Sequence, residues 1–247
     1  MAGKRREPAP DGFALGERPS YRVLAYGVLV GTRAFAAYGP LLGFRAPLTA
    51  RTQDLDVALG RGLEIALPRN EEGDLPARLA ETVPPFLPVP DLDPRRLSTS
   101  FKVRGRELRI DFLTPRRRGD AERAVPIPAY GLSAWPLELL DFLVEGALAA
   151  VVSGSRPVLV RVPEPARFAL HKLWLAGERS SQEATRARKD LAQAQALLEV
   201  LAEERPGDLT RAAVELLRRP RAAARVRGQA KRLPSELAAS VLATLRL

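Results

Sequence analysis

The chain has 247 residues, 46% of them hydrophobic and 28% charged, which is enough apolar material for one large domain or two small ones. It contains no cysteine and a single histidine, His171, so disulfides, cysteine catalysis and zinc sites built from cysteines or several histidines are excluded. The formal net charge of +10 favours an anionic partner such as a nucleotide or a nucleic acid. Because arginine supplies most of the cations, the rare lysines, among them Lys172 and Lys189, are the more informative ones.

The first residues and the apolar stretches bear on the location of the protein. Residues 1–19 are basic and lack the apolar core of a signal peptide, so we expect a flexible leader. The apolar stretch at 146–154 is too short to cross a bilayer. We therefore predict a cytoplasmic protein with no membrane contact, and we leave its oligomeric state open.

The first predicted elements are a strand, a helix and a second strand. Residues 21–31 favour a segment that enters as a helix and finishes as a strand at about 26–30. The alanine-rich pattern that follows predicts a helix that starts at Thr32 and is broken by Gly39-Pro40. The sequence DLDVAL, residues 54–59, predicts the second strand.

A β-hairpin is predicted after a polar and proline-rich stretch that has a helical pattern at 74–81. Its strands are residues 98–103 and about 107–113, and Arg104-Gly105 is the expected turn. Because a hairpin can lay its second strand beside an earlier one, this strand and the 54–59 strand are expected to be neighbours.

The second half of the chain has a more helical pattern. Residues 137–152 have a helical period, and residues 156–162 predict a short strand. The remainder is predicted to be mostly helical, with breaks at Gly177, Pro206-Gly207, Pro220 and Pro234.

The expected fold class is therefore α/β (α+β), with a mixed sheet followed by a helix-rich C-terminal half. We place the boundary near residue 130, which predicts a domain at 20–130 and a helix-rich domain at 131–247, with the active cleft between them.

Three aspartates in predicted strands are the candidate metal ligands. Asp54 and Asp56 are two residues apart on one strand, so both carboxylates point to the same face. At about 6 Å two such charges repel by roughly 3 kcal/mol at an effective dielectric constant of 20, which a nearby cation would offset. Asp111, on the second hairpin strand, would complete a group of hard oxygen ligands suited to Mg²⁺. The alternative is that these acids are merely solvated at strand ends.

The residues Gly31, Thr32 and Arg33 occupy the predicted junction between the first strand and its helix. There, backbone N–H groups, a hydroxyl and the helix dipole are suited to holding phosphate groups. The alternative is a plain turn in which Thr32 caps the helix.

The order of these motifs resembles the nucleotidyltransferase (DNA polymerase β-like) superfamily. The matching segments are VLVGTRAFAAYG, TQDLDVAL and LRIDFL. Residues 162–201 are similar to the helical segment of bacterial stand-alone nucleotidyltransferase-fold proteins, which are related to the toxins of abortive-infection toxin–antitoxin systems. Thr32 departs from the pattern, since glycine or serine is commoner there, and its bulk implies altered phosphate contact.

The resemblance implies transfer of a nucleoside monophosphate from an NTP to an acceptor. Asp54 and Asp56 would hold two Mg²⁺ ions, with Mn²⁺ as the substitute metal. Asp111 would hold one of the ions and help deprotonate the acceptor hydroxyl. The acceptor is open among RNA (tRNA in particular), a protein side chain and a small molecule.

The resemblance also assigns roles to residues outside the three acids. Gly31, Thr32 and Arg33 would contact the triphosphate. Lys172 and Lys189 would neutralise phosphate charge from the helical half, and Asp190 would orient Lys189. For His171, a buried or half-buried structural role is preferred to a substrate contact.

Two other functions are kept open. One is a nucleotide- or RNA-binding module that has the fold without the chemistry, and the other is a toxin-like regulator. The C-terminal cations are interpreted as a solvated helix surface, with phosphate-backbone binding as the alternative. These cations are Arg211, Arg218, Arg219, Arg221, Arg225, Arg227, Lys231 and Arg232.

Overall fold

A mixed β-sheet and a bundle of helices make up the protein in the computed structural model, which describes residues 27–44, 54–60, 74–82, 84–120, 123–152 and 157–246. The predicted leader, 1–19, and the helical entry before residue 27 lie outside the described residues.

The first strand is followed directly by a helix. β1 is Val28–Val30, α1 is Gly31–Leu42 and β2 is Asp54–Ala58. The predicted helix break at Gly39-Pro40 is wrong, because Pro40 lies inside α1. Pro40 lacks the N–H that would bond the carbonyl of Ala36, yet α1 continues past it and ends at Gly43, which takes the left-handed conformation at φ 71°.

The predicted hairpin and its strand partner are confirmed. α2 is Leu75–Ala80, β3 is Phe86–Pro88, β4 is Ser100–Val103 and β5 is Arg109–Pro115. The strands follow the order β1-β2-β5-β4-β3, in which β2 runs parallel to β5 and the other neighbours are antiparallel. The hairpin turn contains Gly105 at φ 72°.

Two further strands continue the sheet past the expected domain boundary. β6 is Val125–Ile127 and β7 is Leu132–Leu137, and β7 pairs in parallel with β5. The sheet therefore includes residues beyond 130, and the division of the chain at that point stays a prediction.

The helical prediction for residues 137–152 is correct only in its first part. α3 is Leu140–Val144, and the chain then forms β8, Leu148–Val152, which pairs with β9, Val158–Val162. Gly146 at φ 71° separates the helix from the strand. A short apolar run fits either element, and here the pairing with β9 decides in favour of a strand.

The rest of the chain is helical, as predicted, which confirms the α/β (α+β) class. Three of these helices begin with a proline at the first position, where its missing N–H costs nothing. The helices are α4, Pro165–Glu178; α5, Ala184–Glu204; α6, Pro206–Leu217; α7, Pro220–Ala230; and α8, Ser235–Thr244.

Sheet and helices share one apolar core. The ring of Phe35 in α1 stacks on Phe168 in α4 at 6.3 Å between centroids, and the Tyr38 hydroxyl donates to the carbonyl of Pro163 at 2.8 Å. This packing fixes α4, which carries the candidate lysine, against α1, the helix that follows β1. Within the described part of the chain, no helix combines the length and apolarity needed to cross a membrane.

Candidate active site

The three candidate aspartates lie on one face of two adjacent strands. In the parallel register of β2 and β5, Asp56 is directly opposite Asp111, and Asp54 is opposite Arg109. Directly paired residues point to the same side of a sheet. The intervening Leu55 and Val57 are buried on the other side. The alternation expected from the sequence therefore brings Asp54, Asp56 and Asp111 together.

Gly31 lies against the Asp56 carboxylate. Its φ is 66°, a conformation that residues with a side chain rarely adopt. A Cβ atom added at this position would collide with Oδ2 of Asp56. Glycine is therefore required both by the turn and by the close approach of the acid.

The first turn of α1 brings Thr32 and Arg33 next to the acids. The helix begins at Gly31, and its N-cap residue, Val30, makes no side-chain capping bond, so the interpretation of Thr32 as the cap is wrong. Burial lowers the pKa of Arg33, and the charge of Asp54 partly opposes this shift. The guanidinium and the carboxylate are thus close enough to interact.

Asp56 is the electrostatic centre of the group. Its pKa is raised to about 6, chiefly by burial and then by the negative charge of Asp111, with a smaller contribution from Asp54. The ammonium groups of Lys172 and Lys189 act in the opposite direction. The acids on the sheet and the lysines on the helices therefore face each other, and the acids carry more negative charge than the lysines offset.

Lys172 is held by a buried ion pair with Asp190. Its Nζ donates to Oδ1 of Asp190 at 2.7 Å, and the two side chains are only 8% and 6% exposed. Arg179 donates to the other carboxylate oxygen at 3.3 Å. Asp190 therefore orients Lys172, so the expectation that it orients Lys189 needs correction.

Lys189 lies at the same junction, where it interacts with Lys172, Asp190, Asp56 and Asp54. Burial lowers its pKa first, the charge of Lys172 adds to that, and Asp190, Asp56 and Asp54 oppose it. Two lysines are thus close to each other and to the acids, which is a favourable place for a polyanion.

His171 is buried beside these groups. Its ring packs 5.5 Å from that of Trp174, and burial, followed by the charge of Lys172, lowers its pKa to about 3. The neutral imidazole has no charge to offer at physiological pH, in agreement with the structural role expected for it.

Sequence reasoning missed two residues that contact Asp111. The Nε atom of Arg109 donates to Oδ1 of Asp111 at 2.7 Å, and the same oxygen accepts a bond from the Ser100 hydroxyl. Arg109 also donates to Ser100 at 2.8 Å. The available signal was strand alternation, because Arg109 is two residues before Asp111 and must share its face.

The carboxylates of the three acids are of the kind that bind a divalent metal, but they do not form a ready-made cluster. Among the described residues, no group of three or more His, Asp or Glu side chains is close enough to hold a metal ion. One Asp111 oxygen is bound by Ser100 and Arg109. The donor set still fits Mg²⁺, since it offers three carboxylates on one face. Burial is the main cause of the raised pKa of Asp56, and a cation would offset the further contribution from the charges of Asp111 and Asp54.

Several of the C-terminal arginines form contacts with other residues of the chain. Arg218 pairs with Glu215 at 3.0 Å, Arg219 pairs with Asp141 at 2.6 Å, and Arg227 donates to the carbonyl of Leu245 at 2.9 Å. These contacts favour the interpretation of this stretch as a helix surface.

The pH dependence of stability should report the environment of Asp56 in metal-free protein. A raised folded-state pKa stabilises the fold below the ordinary value of 3.8, and that contribution is lost as the pH rises through about 6. The loss is at most about 3 kcal/mol. Asp56→Asn should therefore be more stable than the wild type at pH 7.5 and equal to it at pH 4, in urea unfolding with EDTA. The same difference in free energy of unfolding between the two proteins at both pH values would contradict the raised pKa of Asp56.

Arg109 should weaken cation binding at the acids. Replacing it by glutamine removes a positive charge from Asp111, and at about 1 kcal/mol for an exposed pair the affinity for Mn²⁺ should rise about fivefold. Arg106→Gln, in the exposed turn of the same hairpin, is the matched control. The concentration of free Mn²⁺ can be measured by electron paramagnetic resonance. Equal Mn²⁺ affinities in the two variants would show that Arg109 has no influence on the cation site.

Comparisons with known proteins identify the family. One solved structure, an antigenic nucleotidyltransferase-like protein from Paracoccidioides brasiliensis, is similar over 84% of this chain and 89% of its own, with 12% identity and a TM-score of 0.38. At that score the likeness adds nothing to the fold assignment. No curated protein matches the sequence significantly. A sequence profile described as nucleotidyltransferase matches residues 20–218, which is most of the chain. The chain therefore belongs to a nucleotidyltransferase family.

Proposed function

We propose that the protein is a Mg²⁺-dependent enzyme that transfers a nucleoside monophosphate from an NTP to an acceptor. The observation that carries the proposal is the meeting of three groups: the acids of β2 and β5, the first turn of α1 at Gly31, and the lysines of α4 and α5. Acids for a metal, a helix N-terminus and compact cations are together what a metal-bound triphosphate needs.

The acid face would hold the reacting groups. Asp54 and Asp56 would be ligands of both cations and Asp111 of one, and the bound cations would polarise the α-phosphate and the acceptor hydroxyl. The acceptor oxygen forms a bond to the α-phosphorus while the bond from that phosphorus to the bridging oxygen breaks, and pyrophosphate leaves. The hydroxyl proton passes to Asp111, whose Oδ1 is already oriented by Ser100 and Arg109.

The triphosphate would lie between α1 and the helical half. The first turn of α1 begins at Gly31 beside Asp56, and its N–H groups, with Thr32 and Arg33, would suit the phosphate oxygens. Lys172, fixed by Asp190, and Lys189 would offset charge that develops on the pyrophosphate. His171 has no part in this mechanism because it is buried and neutral.

The setting of the reaction is also part of the proposal. The acceptor classes considered are RNA, including tRNA, a protein side chain and a small molecule. The sequence resemblance implies a bacterial protein related to toxins, and the lack of a signal peptide in the sequence favours a cytoplasmic one. If the activity is toxic, expression should arrest growth, and Asp54→Ala should relieve the arrest. Unimpaired growth at high wild-type expression would remove the toxin relation and leave the enzyme proposal standing.

A transfer assay tests the enzyme proposal. The protein is incubated with each α-³²P-labelled NTP, Mg²⁺ and separate pools of RNA, protein and small molecules, and both label transfer and pyrophosphate release are measured. We expect transfer from at least one NTP, and a loss of at least about 100-fold in Asp54→Asn/Asp56→Asn, since metal-dependent charge stabilisation is worth several kcal/mol. Equal pyrophosphate release by the wild type and this variant would contradict the proposal.

A further inference from the structure

The carboxylate of Asp190 is shared by two cations, one within α4 and one at its end. Lys172 donates to Oδ1 of this carboxylate at 2.7 Å, and the Nε atom of Arg179 donates to Oδ2 at 3.3 Å. Lys172 and Arg179 are seven residues apart, which places them on the same side of the helix but about 10 Å apart along its axis. It is therefore the Asp190 carboxylate that joins the two side chains.

Arg179 also bonds to an acid at the start of α5. One of its terminal nitrogens donates to Oε1 of Glu183, the residue just before α5, at 3.1 Å. Glu183 and Asp190 are again seven residues, or two helical turns, apart. A guanidinium carries its donors in a rigid fork, so it can bind both acids at once. Arg179 therefore ties the end of α4 to two successive points on α5.

The two bonds of Arg179 differ in what they can contribute. The bond to Glu183 is a partly exposed ion pair, and exposed pairs of this kind contribute little to stability. The bond to Asp190 reaches an acid whose side chain is only 6% exposed and which holds a buried lysine. Without this bond one oxygen of the carboxylate loses its donor, the carboxylate is free to rotate, and Lys172 is held less precisely.

Arg179 also changes the charge of the network that contains Lys172. Lys172 and Asp190 alone form a neutral pair. When the ion pairs of Arg179, Glu183 and Arg186 are included, three cations share two carboxylates, so the network has a net positive charge. The charge of Lys172 reaches the acids of the sheet, since it lowers a carboxyl pKa there. Sharing Asp190 between two cations therefore leaves more of the charge of Lys172 for a phosphate group.

We propose that Arg179 is a positioning residue for nucleotidyl transfer. It holds Asp190 so that Lys172 faces the charge that develops on the departing pyrophosphate, and it touches neither the NTP nor the metal. This inference rests on the proposed function and adds to it a residue that the sequence pattern did not single out. Because this charge develops only in the transition state, loss of Arg179 should lower kcat much more than it raises KM.

Steady-state kinetics of Arg179→Gln test this role, with pyrophosphate release measured for the NTP and acceptor pool that support label transfer in the wild type. We expect kcat to fall about tenfold, as for a small displacement of a reacting group, and KM for Mg²⁺-NTP to change less than about twofold. Thermal unfolding should show a folded variant, because Asp190 keeps its bond to Lys172.

Arg186→Gln is the matched control for Arg179→Gln. Arg186 also binds Glu183, at 3.2 Å, but its side chain is 72% exposed and its bond is to Glu183 rather than to Asp190. Its kcat should therefore stay within about twofold of the wild type. An equal fall of kcat in the two variants, or a rise of KM in Arg179→Gln without a fall of kcat, would overturn the inference.

The same substitution in the Lys172→Met/Asp190→Leu background separates positioning from support of the fold. If Arg179 acts through these two residues, Arg179→Gln should leave the remaining pyrophosphate release unchanged within about twofold. A tenfold loss in this background as well would overturn the inference and leave the proposed function intact, since the wild type would still transfer. Absence of label transfer from every NTP in the wild type would instead overturn the proposed function, and the inference with it.

Discussion

Replacement of Gly31 by alanine is expected to abolish nucleotidyl transfer. The new Cβ would collide with Oδ2 of Asp56, and the backbone would be strained at φ 66°. A left-handed backbone at a residue with a side chain costs on the order of 1–2 kcal/mol. The collision must in addition displace either the strand or the carboxylate. A displacement of about 1 Å at a reacting group can cost about 100-fold in rate, so transfer should fall at least that far.

Gly43→Ala is the matched control for this experiment. Gly43 ends the same helix at φ 71°, and a Cβ added there meets nothing within 4 Å. The two variants therefore carry the same backbone strain, and they differ in the contact with Asp56. If both lose similar stability in urea unfolding and only Gly31→Ala loses transfer, the contact is functional. Equal activity of the two variants would refute the close approach of Gly31 to the acid.

Replacement of Asp190 by alanine should be among the most destabilising single changes in the chain. It leaves the ammonium of Lys172 buried without its 2.7 Å partner and removes the acid that Arg179 also binds. Breaking one side of a buried ion pair costs about 3–5 kcal/mol. Urea unfolding at neutral pH should show a loss of that size, and transfer should fall along with stability.

The double variant Lys172→Met/Asp190→Leu separates stability from function. Replacing both charges by apolar groups of similar size removes the buried unpaired charge, so most of the lost stability should return. Transfer should stay low, because the cation assigned to the triphosphate is gone. Recovery of transfer together with stability would mean that Lys172 only supports the fold.

Much of the acid site could be predicted because it depends on local rules. Strand alternation puts Asp54 and Asp56 on one face, and the hairpin places Asp111 beside them. The conformation of Gly31 likewise follows from its place at a strand–helix junction. These features need only the period of a strand and the chemistry of glycine.

The partners of these residues depend on packing that no local pattern encodes. Asp190 bonds to Lys172, 18 positions away, because α4 and α5 pack in a particular register that the sequence pattern does not specify. The switch from helix to strand after Gly146 depends on β9 being available as a partner. Arg109 is different, since alternation alone would have placed it beside Asp111.

Thermal unfolding with each of the four NTPs, with and without Mg²⁺, tests the central claim most directly. The chain contains the sequence Asp-Leu-Asp twice, at 54–56 in β2 and at 91–93 in a loop. Asp54→Asn/Asp56→Asn can therefore be compared with Asp91→Asn/Asp93→Asn, which makes the same change outside the site. A ligand at a hundredfold excess over its Kd stabilises the folded state by about 2.7 kcal/mol. We predict a Mg²⁺-dependent rise in Tm with at least one NTP, lost only in the first variant. No shift with any NTP, or the same shift in both variants, would contradict the assignment of the acid face as the nucleotide site.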